Sequence, residues 1–414
     1  MKISLVLAVY NKLDLTTECY KRLRQLYPNA PLVISSGGSS DGTKEWLESL
    51  EDENLSFFHD DDRLTFSETY NAGIDLVDTE KIVLIHNDMV IGEGFLEAIE
   101  RLLTENMILS YTTIEPPIFK GHSRPGKVLL DLGSGFDNFD QTNFNNYIQK
   151  WKDTDTLHDG AVFFMSAYKK TFIDLGGFDG FSFVPCFCED DDFLIRAKLK
   201  GYELKTCDSA ITYHFVSQTS RFSDEMKDVR GAIEAHSIRN FIRKWGISIP
   251  MFNAMDYQTT DNFTYVKKIV GVKLSSTKHI ELLEPFFDKI EIDEFPTEYV
   301  EKEQGSTRYN LTKKFEDVND VDIKVFVTDN FNQDDFNMVN ALRVSLDDYG
   351  PGVYENGNIG CNQGCVKKSQ PKKATPNFFK KNVYPYFFHF IFLFSWINFF
   401  YFPCVSENIF PFFN

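Results

Sequence analysis

The chain has no excess of basic residues: 43 lysines and arginines stand against 61 aspartates and glutamates, a formal charge of −18. Neutralising phosphates takes basic stripes, so a general nucleic-acid binder is excluded, whereas acidic clusters suit divalent cations. Paired CxxC motifs are missing too. The seven cysteines (Cys19, Cys186, Cys188, Cys207, Cys361, Cys365 and Cys404) are scattered and odd in number. That excludes a zinc ribbon or a disulfide framework and leads us to expect reduced thiols in a cytoplasmic protein. The start, MKISLVLAVYNK, has a short apolar run after one lysine and no small-residue cleavage site, so it reads as a strand and not as a secretory leader. Long hydrophobic runs are scarce. The exception is Val383 to Val405, which holds no Asp, Glu, Lys or Arg and follows Lys372, Lys373, Lys380 and Lys381. It is long enough to span a bilayer, with its lysine flank cytoplasmic. Its Phe and Asn content, with Pro385 and Pro403, equally fits a disordered tail or translation past a frameshift in AT-rich DNA.

What is present is an alternation of strands and helices. Ile3 to Val9 has the pattern of a strand buried on both faces, and Leu13 to Leu26 follows with helical periodicity. Leu32 to Ser35 predicts a second strand, and SSGGSSDGT leads into a helix from Lys44 to Leu50 capped by Ser40 or Asp41. Leu55 to His59 is a third strand, Phe66 to Val77 a third helix, and Lys81 to Ile85 a fourth strand ending in HND. This predicts an α/β fold with an open, mostly parallel sheet and helices on both faces. Ligands then gather at the strands' carboxyl ends, where the loops at Tyr10, Ser36, Asp60 and Asp88 fall. From Ile108 to Gln149 the pattern breaks into Gly, Pro, Asn and Phe, which predicts long loops shaping a cleft. Ala210 to Phe215, with His214, predicts a strand, and Asp228 to Trp245 a helix ended by Gly246. We place a first domain at residues 1–255, a small accessory α/β domain at 256–360 and a basic linker with a Phe-rich tail at 361–414. The accessory domain has strands at Val266–Leu274 and Ile323–Val327 and helices at Lys278–Phe287 and Asp334–Asp347.

One stretch needs a special reason. Glu189, Asp190, Asp191 and Asp192 are consecutive acids in front of a helical pattern, Phe193, Leu194, Ala197 and Leu199, that ends in basic residues. Such charges repel unless a helix N-terminus, a cation or a substrate balances them. Taken alone they read as helix-capping residues. Asp88 and His214 change the weight of that reading. A hard cation needs a carboxylate and tolerates an imidazole, and this pair leaves room for a diphosphate.

In order and spacing, LVLAVYNK, GGSSDGT, SETYNAGI, VLIHNDMVI, GGFDGF with EDDDFLIRAKLKGY, and YHFVS resemble the motifs of the family 2 glycosyltransferases over roughly residues 1–246. The resemblance implies a GT-A fold (Rossmann-like, of the nucleotide-diphospho-sugar transferase type). It implies a nucleotide-diphosphate sugar as donor, a glycan or other hydroxyl acceptor, and a divalent metal, Mn2+ or Mg2+, held by Asp88 and His214, with His86 and Asn87 where the family has more acidic residues. Ala8, Val9 and Tyr10 match the backbone lining the nucleotide base, Ser36, Asn71 and Asn87 fall at donor-side positions, and Asp159 and Gly160 begin the acceptor-facing strand. Asp190 matches the catalytic base of an inverting transfer, with Glu189 beside it and Asp192 toward the acceptor or the helix N-terminus. Ser36 departs from the family, which commonly has an acid there; a serine carries no charge and discriminates less. A non-catalytic glycan- or nucleotide-sugar-binding protein of the same fold and a retaining transferase remain open alternatives.

Overall fold

The computed structural model describes residues 2–117, 126–216, 228–249, 269–345, 352–356 and 358–363. In it the buried run Ile3–Val9 is strand β1 and Leu13–Leu26 helix α1, followed by β2 (Leu32–Gly37), α2 (Thr43–Glu48), β3 (Leu55–Asp60), α3 (Phe66–Asp75) and β4 (Lys81–Ile85). These strands are parallel neighbours in the order β3-β2-β1-β4. Helix α3 is entered through a capping box, in which Thr65 accepts from Glu68 N and Glu68 accepts from Thr65 N. Helix α2 lacks the side-chain cap expected from Ser40 or Asp41. Gly42 stands at its N-cap, and the Asp41 carboxylate accepts from Leu13 N and Thr43 Oγ1, tying the loop after β2 to the start of α1.

The chain continues through β5 (Met89–Ile91), α4 (Phe95–Leu102), β6 (Met107–Glu115), β7 (Lys127–Leu129), α5 (Gln141–Trp151), β8 (Leu157–Asp159), β9 (Met165–Tyr168), α6 (Lys169–Leu175), α7 (Glu189–Leu199) and β10 (Glu203–His214). The sheet runs on from β4 through β9, β6 and β10 to β5. The expectation of long loops from Ile108 to Gln149 is corrected at both ends, since β6 is buried along its whole length and α5 is regular helix. The run MILSYTTIE hides its strand character behind hydroxyls. Inside the sheet three of the four are satisfied by backbone carbonyls, Ser110 by Val162, Tyr111 by Leu84 and Thr112 by Cys207.

Strand β9 is antiparallel to both β4 and β6, while β10 is parallel to β6. Strands β6 and β10 therefore run in the direction of β1–β4. Glu115, the last residue of β6, and His214, the last of β10, reach the same sheet edge as the HND turn after β4.

The chain forms two compact units, Met1–Arg230 and Gly231–Asn414, whereas composition sets the boundary near residue 256. In the second unit, α8 (Arg230–Trp245) ends at Gly246, whose φ of +71° suits glycine, and contributes Ile242 to a core with Val270, Val272, Leu283, Ile323 and Val325. Five strands are ordered β12-β11-β13-β15-β14: β11 Val270–Leu274, β12 Lys289–Glu291, β13 Ile323–Val327, β14 Gly352–Asn356 and β15 Ile359–Gln363. The helix expected at Lys278–Phe287 is one turn, α9 (Ile280–Leu283), continued as a 3-10 turn because Pro285 cannot donate into it; α10 (Thr297–Gln304) and α11 (Gln333–Ser345) follow. Among the described residues no helix is long and apolar enough to cross a membrane. The tail from residue 364 onward, and the membrane contact expected of it, lie outside the described residues.

Candidate active site and metal cluster

The site is assembled by strand register. His214 pairs with Met89 across the antiparallel β10–β5 ladder, and Phe215 N donates to Asp88 O at 3.0 Å. This brings the Asp88 and His214 side chains together, with Nε2 of His214 3.3 Å from Oδ1 of Asp88. His86, two residues before Asp88, completes the group: one ligand atom from each of the three lies within 4.8 Å of the others. The pair expected from the sequence is thus brought together, and His86 joins it.

The surroundings are apolar and aromatic. Phe163 packs on His86 at 5.0 Å and Phe164 on His214 at 4.9 Å between ring centroids. Burial pulls the His86 imidazole down to about 4 despite Asp88, so the ring is neutral near pH 7. Its Nε2 is buried with no hydrogen-bond partner among the described residues. A neutral imidazole with an unpartnered buried ring nitrogen beside a carboxylate fits a divalent cation. For His214, burial opposes protonation, but the Asp88 and Glu115 carboxylates outweigh it and push the ring up to about 9. A proton and a cation therefore compete at this ring, and metal binding there is linked to proton release.

Glu115 and Lys127 were not singled out in the sequence. Glu115 Oε1 is 3.2 Å from His214 Nδ1, and Lys127 Nζ is 3.2 Å from Glu115 Oε2. Both sit in the stretch read as loop, so no motif marks them; an acid ending a buried β-branched run is the signal that could have found Glu115.

The donor-side residues divide. Tyr10 follows β1, and the Arg63 guanidinium lies over its ring at 3.9 Å from the centroid. Behind it the loops after β1 and β2 are cross-tied, Asn11 N donating to Ser39 Oγ and Ser40 N to Asn11 Oδ1. Ala8 and Val9 lie in β1 itself, paired with Ser35 and Ser36. Ser36 is fully buried, its hydroxyl 2.9 Å from Ser39 Oγ and 3.1 Å from His59 Nδ1. Asn87 is also buried and donates to Thr16 Oγ1 on α1. Asn71 uses both ends of its amide on Phe178, bracing the GGFDGF turn.

The acid cluster forms the first turn of α7, after Phe187 and Cys188 in the left-handed region at φ of 80° and 70°. The N-cap residue, Cys188, makes no side-chain capping bond, and all four acids fall in the first turn of the helix. Asp192 is fully buried and pairs with Arg196 Nε at 2.9 Å, and Arg196 also donates to the carbonyls of Leu175 and Gly177. Burial, then the charge of Asp190, drives Glu189 well above the usual carboxylate range, and burial with Asp190 and Asp192 does the same to Asp191. Glu189 Oε2 is buried without a hydrogen-bond partner among the described residues. On β8, Asp159 is exposed and 2.6 Å from Lys205 Nζ, and the adjoining Gly160 has φ +103° with open space around its Cα.

Residues 4–172 match the model of Glycosyl transferase family 2. No curated protein matches the chain in sequence. Solved structures similar in shape include a mannosyltransferase from Pyrobaculum calidifontis in complex with GDP-Man and Mn2+, at 16% identity over 58% of this chain and 62% of that one, TM-score 0.38. Others are S. aureus TarS 1–349 in complex with UDP-GlcNAc (13% identity, 58% and 73% covered, TM-score 0.38) and GalNAc-T7 with UDP, GalNAc and Mn2+ (11%, 64% and 53%, TM-score 0.42). The match spans less than two thirds of the length of the mannosyltransferase and about half that of GalNAc-T7. His214 and the acid cluster lie beyond the family match, which covers β1 to β9 with His86, Asp88 and Glu115; over that segment, residues 4–172, the chain is similar to glycosyl transferase family 2.

Proposed function

We propose that the first unit is a divalent-metal-dependent transferase that moves a sugar from a nucleotide-diphosphate donor to a hydroxyl of a glycan or other acceptor, with inversion at the anomeric carbon. The observation that carries this reading is the convergence of His86, Asp88 and His214 at the carboxyl-end edge of a parallel sheet. Asp88 and His214 would hold Mn2+ or Mg2+, with His86 as a further donor. When bound, the cation supplies charge neutralisation for the departing diphosphate. Tyr10 offers a ring face to the base at the end of β1, and Arg63 stiffens that ring. Asp190 is the general base: it takes the acceptor hydroxyl's proton as that oxygen attacks the anomeric carbon. Protonation of Glu189 and Asp191, favoured by their burial, relieves the repulsion that four adjacent carboxylates would otherwise carry.

The test is to incubate the full chain with Mn2+ and a panel of nucleotide sugars and to measure nucleoside diphosphate release with and without EDTA. EDTA-sensitive release supports the proposal, and NMR of the product's anomeric configuration should show inversion. Ser36 favours a second reading, because its hydroxyl is spent on Ser39 and His59 where the family commonly offers an acid. On that reading the unit binds nucleotide sugar without turning it over, and the panel gives binding but no release.

A further inference from the structure

We propose that Glu115, clamped by Lys127, is a positioning residue that fixes the His214 ring with Nε2 toward Asp88 and the cation held there. This inference rests on the metal-site reading above. An imidazole that binds a cation through Nε2 must carry its proton on Nδ1, and that proton needs an acceptor to select the tautomer and stop the ring from turning. Glu115 Oε1, 3.2 Å from Nδ1, is that acceptor, and an ionised carboxylate cannot donate in return.

The backbone makes the arrangement rigid. Strands β6 and β10 are parallel neighbours with Ile114 paired to Tyr213, so Glu115 and His214 leave adjoining strand ends. Strand β7 pairs in parallel with the end of β6, placing Lys127 opposite Thr113 and its Nζ 3.2 Å from the other Glu115 oxygen. Each Glu115 oxygen thus has its own partner, one fixing the carboxylate and the other fixing the ring. Both Glu115 and His214 are buried, where an ionised carboxylate is retained only when its partners offset the lost hydration. Phe164, at 4.9 Å and 66° to the imidazole, closes off another direction of ring motion. Glu115 touches neither donor nor acceptor in this role; it acts through His214.

The experiment uses the full chain and Mn2+ alone, titrated by electron paramagnetic resonance, together with 15N NMR of the histidine rings without metal at a pH above 9, where the His214 ring is neutral and has a tautomer to report. Glu115→Leu should weaken Mn2+ roughly 10- to 100-fold and release the Nδ1–H preference of His214. Glu115→Gln keeps an acceptor oxygen and should restore both most of the way to wild type. Lys127→Met, a change at a partly exposed position, should weaken Mn2+ by about threefold or more through a looser Glu115; it carries the test should the leucine variant not fold. Asp88→Asn is the control that removes a ligand. If Asp88→Asn loses Mn2+ while Glu115→Leu and Lys127→Met bind it as wild type does and keep the tautomer, Glu115 is only a structural ion-pair partner and the inference is overturned. Failure of the wild type to bind Mn2+ overturns the metal-site reading itself, and this inference with it.

Discussion

Asn71 and Phe178 are joined at both ends of one amide: Asn71 Nδ2 donates to Phe178 O at 2.8 Å, and Phe178 N donates to Asn71 Oδ1 at 2.9 Å. Asn71 lies on α3 and Phe178 in the GGFDGF turn, 107 residues later in the chain. The bond pair leaves no room for a side chain at Gly177, where an added Cβ would stand 2.6 Å from Asn71 Oδ1 and φ is +69°. Only glycine meets both demands without strain.

Asn71→Asp should therefore act first on stability. Aspartate keeps the acceptor but loses the donor, and it leaves the Phe178 carbonyl facing a charge. A loss of roughly 1–3 kcal/mol is expected from the unmade bond, read as a lower urea midpoint at unchanged slope. If nucleotide affinity collapses while the urea midpoint stays put, Asn71 is a donor contact and not a brace.

The two ends of the acid cluster separate in the same way. Asp190→Asn should abolish turnover and leave donor binding intact, since an amide cannot take the acceptor's proton. Asp192→Asn should instead cost about 1–3 kcal/mol of stability, because the partly exposed Arg196 loses its buried carboxylate partner and keeps only the carbonyls of Leu175 and Gly177. Single-turnover assays beside urea unfolding distinguish the two. Normal turnover by the Asp190 variant removes it from the base role.

How much of this could be read in advance depended on whether a residue's partner was near in sequence. Strands β1 and β4 announce themselves as apolar runs, and α1 spans the residues that its periodicity predicts. Asp88 and His214 were legible through motif order, although 126 positions separate them. Glu115 was not, because β6 looks like loop until its hydroxyls find carbonyls on neighbouring strands, and only sheet register brings it to His214. Nor was the burial of Ser36, which depends on His59 arriving from β3. Local pattern fixes elements; cross-strand neighbours decide what a polar side chain does.

The two imidazoles make a prediction about the cation. His86, Asp88 and His214 offer two nitrogens to one carboxylate, a set that suits Mn2+ better than Mg2+, which prefers oxygen donors and retained waters. His86→Asp should move the balance toward Mg2+, lowering the Mn2+ to Mg2+ affinity ratio by about tenfold, a change of roughly 1.4 kcal/mol. Competition titrations of both ions against the wild type and the variant give the ratio directly. An unchanged ratio would show that His86 stays outside the coordination shell.

The last prediction concerns the second unit and acid. Arg243 Nη2 of α8 lies 2.6 Å from Glu284 and 2.7 Å from Glu303, Lys314 reaches the other Glu284 oxygen, and Tyr299 OH donates to Glu284 at 2.7 Å. Burial alone would raise Glu284, but Lys314 and Arg243 outweigh it and hold the carboxyl at about 2 against an ordinary 4.5. Lys314 is itself pulled down by burial, so it gains less from the pair than Glu284 does. The folded value lies below the unfolded one, so the stabilisation is fully present above pH 4.5 and is lost as pH falls toward 2. Tyr299→Phe keeps the ring and removes one hydrogen bond to the charged form, worth roughly 1.5–3 kcal/mol, so the acid limb should move up by about one to two pH units. Hydrogen exchange at the amides of β11 and β13, followed from pH 7 down to pH 3, reports this unit directly. An acid limb at the same pH in wild type and variant would mean that the phenol does not support the ionised Glu284.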